Sequence, residues 1–411
     1  MSDSTFRYGE DEFTVRVDSE GFGPRTQKLY DHLAARVIGQ DRPARRIAQG
    51  FSVYYAGLKR PTKPIGAYVL AGPTGWGKTL MAEELARYLI ADQDDAPLTR
   101  IPCGKYTERH RVSELIGSPN GYVDSDKLPK LAQIKIDEPH FWVKVRPILD
   151  ELRKKGLPDK FDPDELMMEM YERHRPYVSV VLFDEFEKAH EDLHSALLHI
   201  IGDGQLDLKD GKTDFSSSVI VLTCNVGGRE QQELLSGKQR GLGFGAGGTV
   251  AMDPEEQDEK IYRQTLELIE KKFPPEFVGR IKKNIIVYRT LTREQCMPVL
   301  ELMLRKVQDR LIGQQSNSIP LLLLFADSFK EFLLDEGVDR IYGLRPLEDA
   351  VEKYVVNRLA NAIERGALRG GDEVMFRMTG KSPSLHVKPR PIPLLLPKAT
   401  APSPSKPGGS K

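Results

Sequence analysis

The sequence predicts an α/β fold, with a parallel sheet flanked by helices and then a small, mainly helical C-terminal domain. Three observations carry this. Apolar runs at Ala67–Leu70, Val178–Phe183 and Val219–Thr223 alternate with helical patterns between residues 27 and 290. Unbroken runs of aliphatic and β-branched residues suit strands buried on both faces. A glycine-rich turn follows the first run and opens a helical stretch, Leu80–Ile90. After Leu291 the pattern becomes mostly helical.

Taken in order, residues 1–26 form a polar extension in which Phe13, Val15 and Val17 alternate like a lone strand. This is too little for a folded domain. Residues 27–290 form the large α/β domain, with Ile285–Tyr288 as a further strand. Residues 291–388 form the small domain, with helices over Thr292–Leu311, Asp327–Leu334 and Arg345–Ile363. It closes on strand-like stretches at Val374–Met378 and Leu385–Val387. From residue 389 to 411 proline, serine and lysine dominate, which predicts a disordered tail.

Composition narrows the partners. Of 411 residues, 60 are basic and 60 acidic, a balance that argues against a phosphate backbone as the main partner. Cys103, Cys224 and Cys296 are widely spaced, odd in number and without CxxC spacing, as in a reducing compartment. Met1-Ser2-Asp3-Ser4 lacks the basic-then-apolar pattern of a signal peptide. The longest apolar run, Leu321–Ala326, is far too short to span a bilayer. A cytoplasmic protein with no membrane partner is expected.

Gly72-Pro73-Thr74-Gly75-Trp76-Gly77-Lys78-Thr79 fits GxxxxGK[ST] in full, with Leu80 opening the helix behind it. Such a loop wraps phosphates with backbone N–H groups, and the helix N-terminus faces them. Lys78 then reaches the β- and γ-phosphates of ATP, and Thr79 ligates Mg²⁺. Trp76 is a bulky choice at a free position. Further on, Val180-Val181-Leu182-Phe183 delivers Asp184 and Glu185 to the sheet's C-terminal edge. Asp184 suits the Mg²⁺ shell and Glu185 suits polarising a water for attack on the γ-phosphate. The chemistry read here is NTP hydrolysis. Next door, His190-Glu191-Asp192-Leu193-His194 spells HExxH, the spacing of two zinc ligands on one helical face. No third ligand stands at a characteristic distance, so an ordinary helix is the expected reading.

Several segments in register resemble the Clp unfoldases of the AAA+ class, in particular the second ATPase module of ClpB, ClpA and ClpC. Arg36-Val37-Ile38-Gly39-Gln40 is similar to "VVGQ", which implies that Val37 and Ile38 flank the adenine. Asp184–His190 resembles "DEIEKAH". Leu222-Thr223-Cys224-Asn225 resembles "MTSN", which makes Asn225 the polar sensor of the attacking water. Phe273–Arg280 resembles "FRPEFINR", which makes Arg280 an arginine finger for a neighbour's γ-phosphate. Gly343-Leu344-Arg345-Pro346-Leu347 resembles "GARPL", with Arg345 the second sensor. A finger acting on a neighbour implies a homo-oligomeric ring, in this family usually a hexamer.

The resemblance also implies protein substrates. Gly117–Asp124 resembles the pore loop "GAPPGYVG", so that Gly121, Tyr122 and Val123 grip a threaded chain. Asp124 departs from that pattern. Residues Leu206–Asp214, with a polar turn at Asp210-Gly211-Lys212, suit a second pore segment. Leu242-Gly243-Phe244 resembles the tripeptide that docks unfoldases onto a ClpP-like peptidase; an incidental loop is the competing reading. Residues from about 134 to 171 exceed the family pattern, with candidate helices at Val143–Lys154 and Asp162–Glu172 and methionines at 167, 168 and 170. This insertion suits core filling or the docking of a partner. A nucleic-acid motor or loader, or a nucleotide-switched scaffold, are the alternatives on the same chassis.

Overall fold

A computed structural model describes residues 21–91, 93, 95–117, 128–155, 163–209, 211–228, 254–312, 320–339 and 343–389. The expected pore residues Gly121, Tyr122 and Val123 and the tripeptide Leu242-Gly243-Phe244 lie outside them. The chain divides into two compact units, Met1–Gln295 with Asp339–Gly343, and Cys296–Val338 with Leu344–Lys411.

The first unit contains strands β1 (Gly66–Ala71), β2 (Thr99–Pro102), β3 (Ser179–Asp184), β4 (Gln205–Leu208), β5 (Gly211–Asp214), β6 (Ser218–Cys224) and β7 (Ile285–Val287). Five of them form a parallel sheet in the order β2-β3-β6-β1-β7. Its helices are α1 (Pro24–Arg36), α2 (Asp41–Tyr55), α3 (Lys78–Leu89), α4 (Arg109–Ile116), α5 (Gln133–Lys155), α6 (Pro163–Arg173), α7 (Glu191–Asp203), α8 (Pro254–Lys272) and α9 (Pro275–Ile281). The pleat divides the central strands between two cores. Val69, Val181, Phe183, Ile220 and Leu222 pack with residues of α4, α7, α8 and α9. Tyr68, Leu70, Val180, Leu182, Val219 and Val221 pack with α1, α2 and α3. Strands clad on both faces have no polar side to show, which is why they read as continuous apolar runs.

Two details differ from the sequence reading. β2 is a short strand at the sheet's edge; its sequence, Thr-Arg-Ile-Pro, buries only Ile101 fully and carries no apolar run. The first helix of the insertion starts ten residues before Val143, at Gln133, and runs through Pro139 and Pro147. Tertiary anchors hold this stretch where propensity alone would break it. The Val178 N–H donates to His140 Nδ1 at 2.8 Å, and the Tyr171 hydroxyl donates to the buried Asp137 carboxylate at 2.7 Å. The Leu206–Asp214 segment is an antiparallel hairpin of β4 and β5.

The second unit holds α10 (Arg293–Ile312) from Cys296 onward, β8 (Leu322–Phe325), α11 (Asp327–Gly337), α12 (Arg345–Val351), α13 (Asn357–Glu364), β9 (Glu373–Thr379) and β10 (Ser382–Lys388). A π-helical turn, Glu352–Val356, joins α12 to α13. The sheet is ordered β10-β9-β8, and β8 pairs parallel to β9. Thus the run Leu321–Ala326 supplies a third strand beyond the two strand-like stretches expected there.

Candidate functional site

The phosphate loop sits between β1 and α3. Gly72, Gly75 and Gly77 all have positive φ, at 136°, 77° and 88°. Space as well as torsion selects glycine at two of these positions. A Cβ on Gly72 would lie 3.0 Å from the Tyr288 carbonyl oxygen, and one on Gly77 would lie 3.1 Å from Val37 Cγ1. Pro73 is buried, Thr74 half-buried, and Leu80 stands half-buried in the first turn of α3. Val37 is buried with its Cγ1 against Gly77 of the loop, and Ile38 beside it in sequence is half-buried. Lys78 is buried, and its ammonium donates to the carbonyls of Gly72 and Pro73 at 2.7 and 2.5 Å. That places the positive charge inside the turn the phosphates would occupy. Trp76 is 3% exposed, and its indole Nε1 has no hydrogen-bond partner among the described residues.

The acidic end of β3 lies beside the loop. Thr79 Oγ1 donates to Asp184 Oδ1 at 3.4 Å, so a hydroxyl and a carboxylate oxygen converge. Two hard oxygen donors of this kind fit Mg²⁺, which prefers few protein ligands with water and phosphate completing its shell. Thr223, near the end of β6, donates to Asp184 Oδ1 at 2.5 Å and accepts from the Glu185 N–H at 2.9 Å. That second contact helps hold Glu185 at φ 56°, the one described non-glycine residue in the left-handed region. Strain of about 1–3 kcal/mol at such a residue persists only when its surroundings over-determine it. The Glu185 carboxylate accepts from Asn225 Nδ2 at 3.3 Å and pairs with Lys188 Nζ at 2.7 Å. The paired Glu185 carboxylate holds the Lys188 proton against the opposing effect of burial, so the ammonium titrates above its ordinary value.

Lys78, Thr79, Asp184, Glu185 and Asn225 therefore come together. Arg280 lies elsewhere, near the end of α9, where Nη1 donates to the Leu198 carbonyl of α7. It occupies the space above Gly202, so a Cβ there would collide with the guanidinium. Arg345 is exposed at the first position of α12 in the second unit. The HExxH histidines have other work. His190 caps α7 by accepting the Asp192 N–H at 3.2 Å. His194 donates from Nε2 to the Phe186 carbonyl at 3.1 Å and packs among Phe186, Phe273 and Phe277. Burial lowers the His194 pKa, as expected of a ring serving the core.

Sequence reasoning missed two site residues. Thr223 and Lys188 both lie inside quoted motifs, yet neither was given a role. A polar residue near the end of an otherwise apolar strand, and a lysine three residues past the glutamate, are the signals that could have found them.

A phosphate-binding turn opening α3, with a Mg²⁺-competent pair and a restrained glutamate on the next strand but one, defines a P-loop ATPase domain of the AAA+ class. The sequence model described as AAA domain (Cdc48 subfamily) matches residues 63–140 and 164–284. The model of the C-terminal, D2-small domain of ClpB matches residues 291–376. The ATP-dependent Clp protease ATP-binding subunit ClpC of Staphylococcus aureus (strain USA300) is 34% identical over 355 residues, 86% of this chain and 36% of that protein. ClpC of Staphylococcus epidermidis is 34% identical over 359 residues, 87% of this chain and 37% of that protein. The chain belongs to the Clp family of AAA+ proteins. It spans little more than a third of the length of these relatives. Among the described residues, no helix is long and apolar enough to cross a membrane.

Proposed function

We propose that the chain is an ATP-dependent protein unfoldase or remodelling chaperone that threads polypeptide through the pore of a ring. The observation that carries the hydrolytic part is Glu185, held beside the Thr79–Asp184 pair by Asn225, Lys188 and the Thr223 hydroxyl. Lys78, Thr79 and Asp184 would hold Mg²⁺-ATP, which supplies the phosphoryl group and the charge neutralisation for its transfer. This chain's own contribution is position: Asn225 and Glu185 orient and polarise the attacking water, and Glu185 receives its proton. The location of the domains also follows the family order, a large domain at 27–290 and a small one at 291–388.

The ring rests on Arg280. Arg280 is an exposed residue whose guanidinium contacts the Leu198 carbonyl, which suits a finger serving a neighbouring subunit, six subunits making the ring. Arg345 would act as second sensor. Gly121, Tyr122 and Val123 would grip protein substrates, and Leu242-Gly243-Phe244 would dock a ClpP-like peptidase, as the name of the ClpC relatives suggests. The buried thiols Cys103, Cys224 and Cys296 suit a cytoplasmic setting.

The test is steady-state ATPase of the purified chain with an unfolded protein or single-stranded DNA added. Stimulation by the unfolded protein is expected; stimulation by DNA alone would favour a nucleic-acid motor. Glu185→Gln removes the base and keeps the shape, so it should lower kcat about 10²–10⁴-fold while ATP binding, read by calorimetry, persists. Turnover near the parent rate would remove Glu185 from the mechanism.

A further inference from the structure

Among the described residues, β7 is an edge strand of the parallel sheet. Among these residues it pairs only with β1, in register Val69↔Ile285, Leu70↔Ile286 and Ala71↔Val287. The Tyr288 N–H donates to the Ala71 carbonyl. With the two-residue period of a strand, Ile286 and Tyr288 turn their backbone groups toward β1. Lys283, Ile285, Val287 and Arg289 therefore turn theirs outward.

Both ends of that outward row are capped by side chains. Gln40 accepts the Arg289 N–H at 3.4 Å and donates to the Arg289 carbonyl at 2.9 Å, as a paired strand would. Arg46 Nη2 donates to the Lys283 carbonyl at 2.6 Å. Between the caps, Ile285, Ile286 and Val287 line a cavity of about 380 Å³, walled by Arg42, Arg45 and Arg46 of α2 and by Tyr262 of α8. Three consecutive strand residues line one cavity only if the backbone edge itself faces it. The groove thus offers ladder donors and acceptors flanked by arginines. Glu259, the acid on its wall, is paired with Arg263 at 2.5 Å.

We propose that residues 12–18 of this chain add to β7 as a sixth strand in this groove. Charge complementarity is the first argument. Residues 10–20 carry five carboxylates (Glu10, Asp11, Glu12, Asp18 and Glu20) against one arginine, Arg16. The second is pattern: Phe13, Val15 and Val17 alternate with polar residues, as a strand with one packed face requires. The third is where the chain enters. Phe22 stands 5.9 Å from the Arg45 guanidinium, and Arg45 is itself a wall of the groove. Val17 is four residues before Gly21, a reach of about 13 Å for extended chain, so the segment needs no long excursion. A strand edge that is half capped and half open is also one that proteins cover to prevent pairing with foreign chains.

Hydrogen exchange of the full chain, read by mass spectrometry, tests this. Residues 13–17 and the peptide spanning 285–287 should both exchange slowly. Thr14→Pro with Val15→Pro removes two consecutive N–H groups, so one ladder donor is lost whichever residue faces the edge. In that variant both peptides should exchange at least tenfold faster while the melting temperature stays within a few degrees. A Thr14→Ser, Val15→Thr control, which keeps the N–H groups, should retain most of the protection. Rapid exchange of residues 13–17 in the parent, or unchanged protection of 285–287 in the double-proline variant, would overturn the assignment. Protection that disappears on dilution, in step with dissociation of an oligomer, would overturn it too, by assigning the groove to a second copy. None of these readouts depends on unfolding activity.

Discussion

The nucleotide cradle and the α5–α6 helix pair lie on the same unit and are built in opposite ways. In the cradle, polar side chains converge and one backbone residue, Glu185, sits at positive φ. Phe141, Val145, Met170 and Tyr171 of the helix pair form a separate apolar cluster with Tyr177, on which Tyr171 stacks at 5.3 Å. The family match runs through the cradle and most of α6 and skips residues 141–163, which include the greater part of α5. A site that performs chemistry keeps strain and charge that cost stability, whereas an appended helix pair must repay its own ordering by burying rings. Function and stability should therefore respond separately in the two regions.

The largest separation is expected at Thr223. Its hydroxyl bridges Asp184 and the Glu185 N–H, so Thr223→Val keeps the shape of β6 and unties both acids. Supporting partners of this kind are worth roughly 10–100-fold in activity or metal affinity. ATPase should fall by that much, with the apparent Mg²⁺ requirement shifted upward in a titration. Unchanged turnover and Mg²⁺ dependence would mean that Asn225 and Lys188 suffice to hold the acids.

The helix pair should show the converse. Asp137 is 3% exposed, and its carboxylate accepts from the Tyr171 hydroxyl at 2.7 Å and from Gln133 at 3.0 Å. Burial raises its pKa, and the two hydrogen bonds oppose that rise only in part. Tyr171→Phe leaves the acid under-satisfied and should cost about 1–3 kcal/mol of stability in denaturant titration. ATPase per folded molecule should not change. A parallel loss of turnover would show that the helix pair is coupled to the cradle.

Legibility followed the same division. The central strands could be read because burial on both faces writes an unbroken apolar run, and the cradle because GxxxxGKT fixes its own neighbours. Lys188 and Thr223 were hidden because their role depends on a fold-back at Glu185, which no local period announces. The start of α5 was hidden by Pro139, since tertiary anchors at His140 and Asp137 override a strong local breaker. The caps on β7 were invisible for a third reason. Gln40 and Arg289 are 249 positions apart, and nothing in either segment signals the other.

The smallest effect is expected at the two tryptophans, one in each region. Trp76 is buried at 3% exposure with an indole N–H that has no partner among the described residues, whereas Trp142 on α5 is 37% exposed. An unsatisfied buried donor costs about 1–3 kcal/mol, so Trp76→Phe removes a penalty while also losing packed surface. These terms oppose each other, and the net change should lie within about 1 kcal/mol, a shift of roughly 2–4 °C in melting temperature. Trp142→Phe should move it less, because an exposed ring gives up little buried area. Fluorescence separates the two. The Trp142→Phe protein, reporting Trp76, should emit toward the blue and resist acrylamide; the Trp76→Phe protein, reporting Trp142, should emit toward the red and be quenched. Adding ATP should change the first signal, since Trp76 lies between Gly75 and Gly77 of the phosphate loop, and leave the second untouched. A nucleotide response from Trp142 would break the division, because it would carry the state of the cradle into the helix pair.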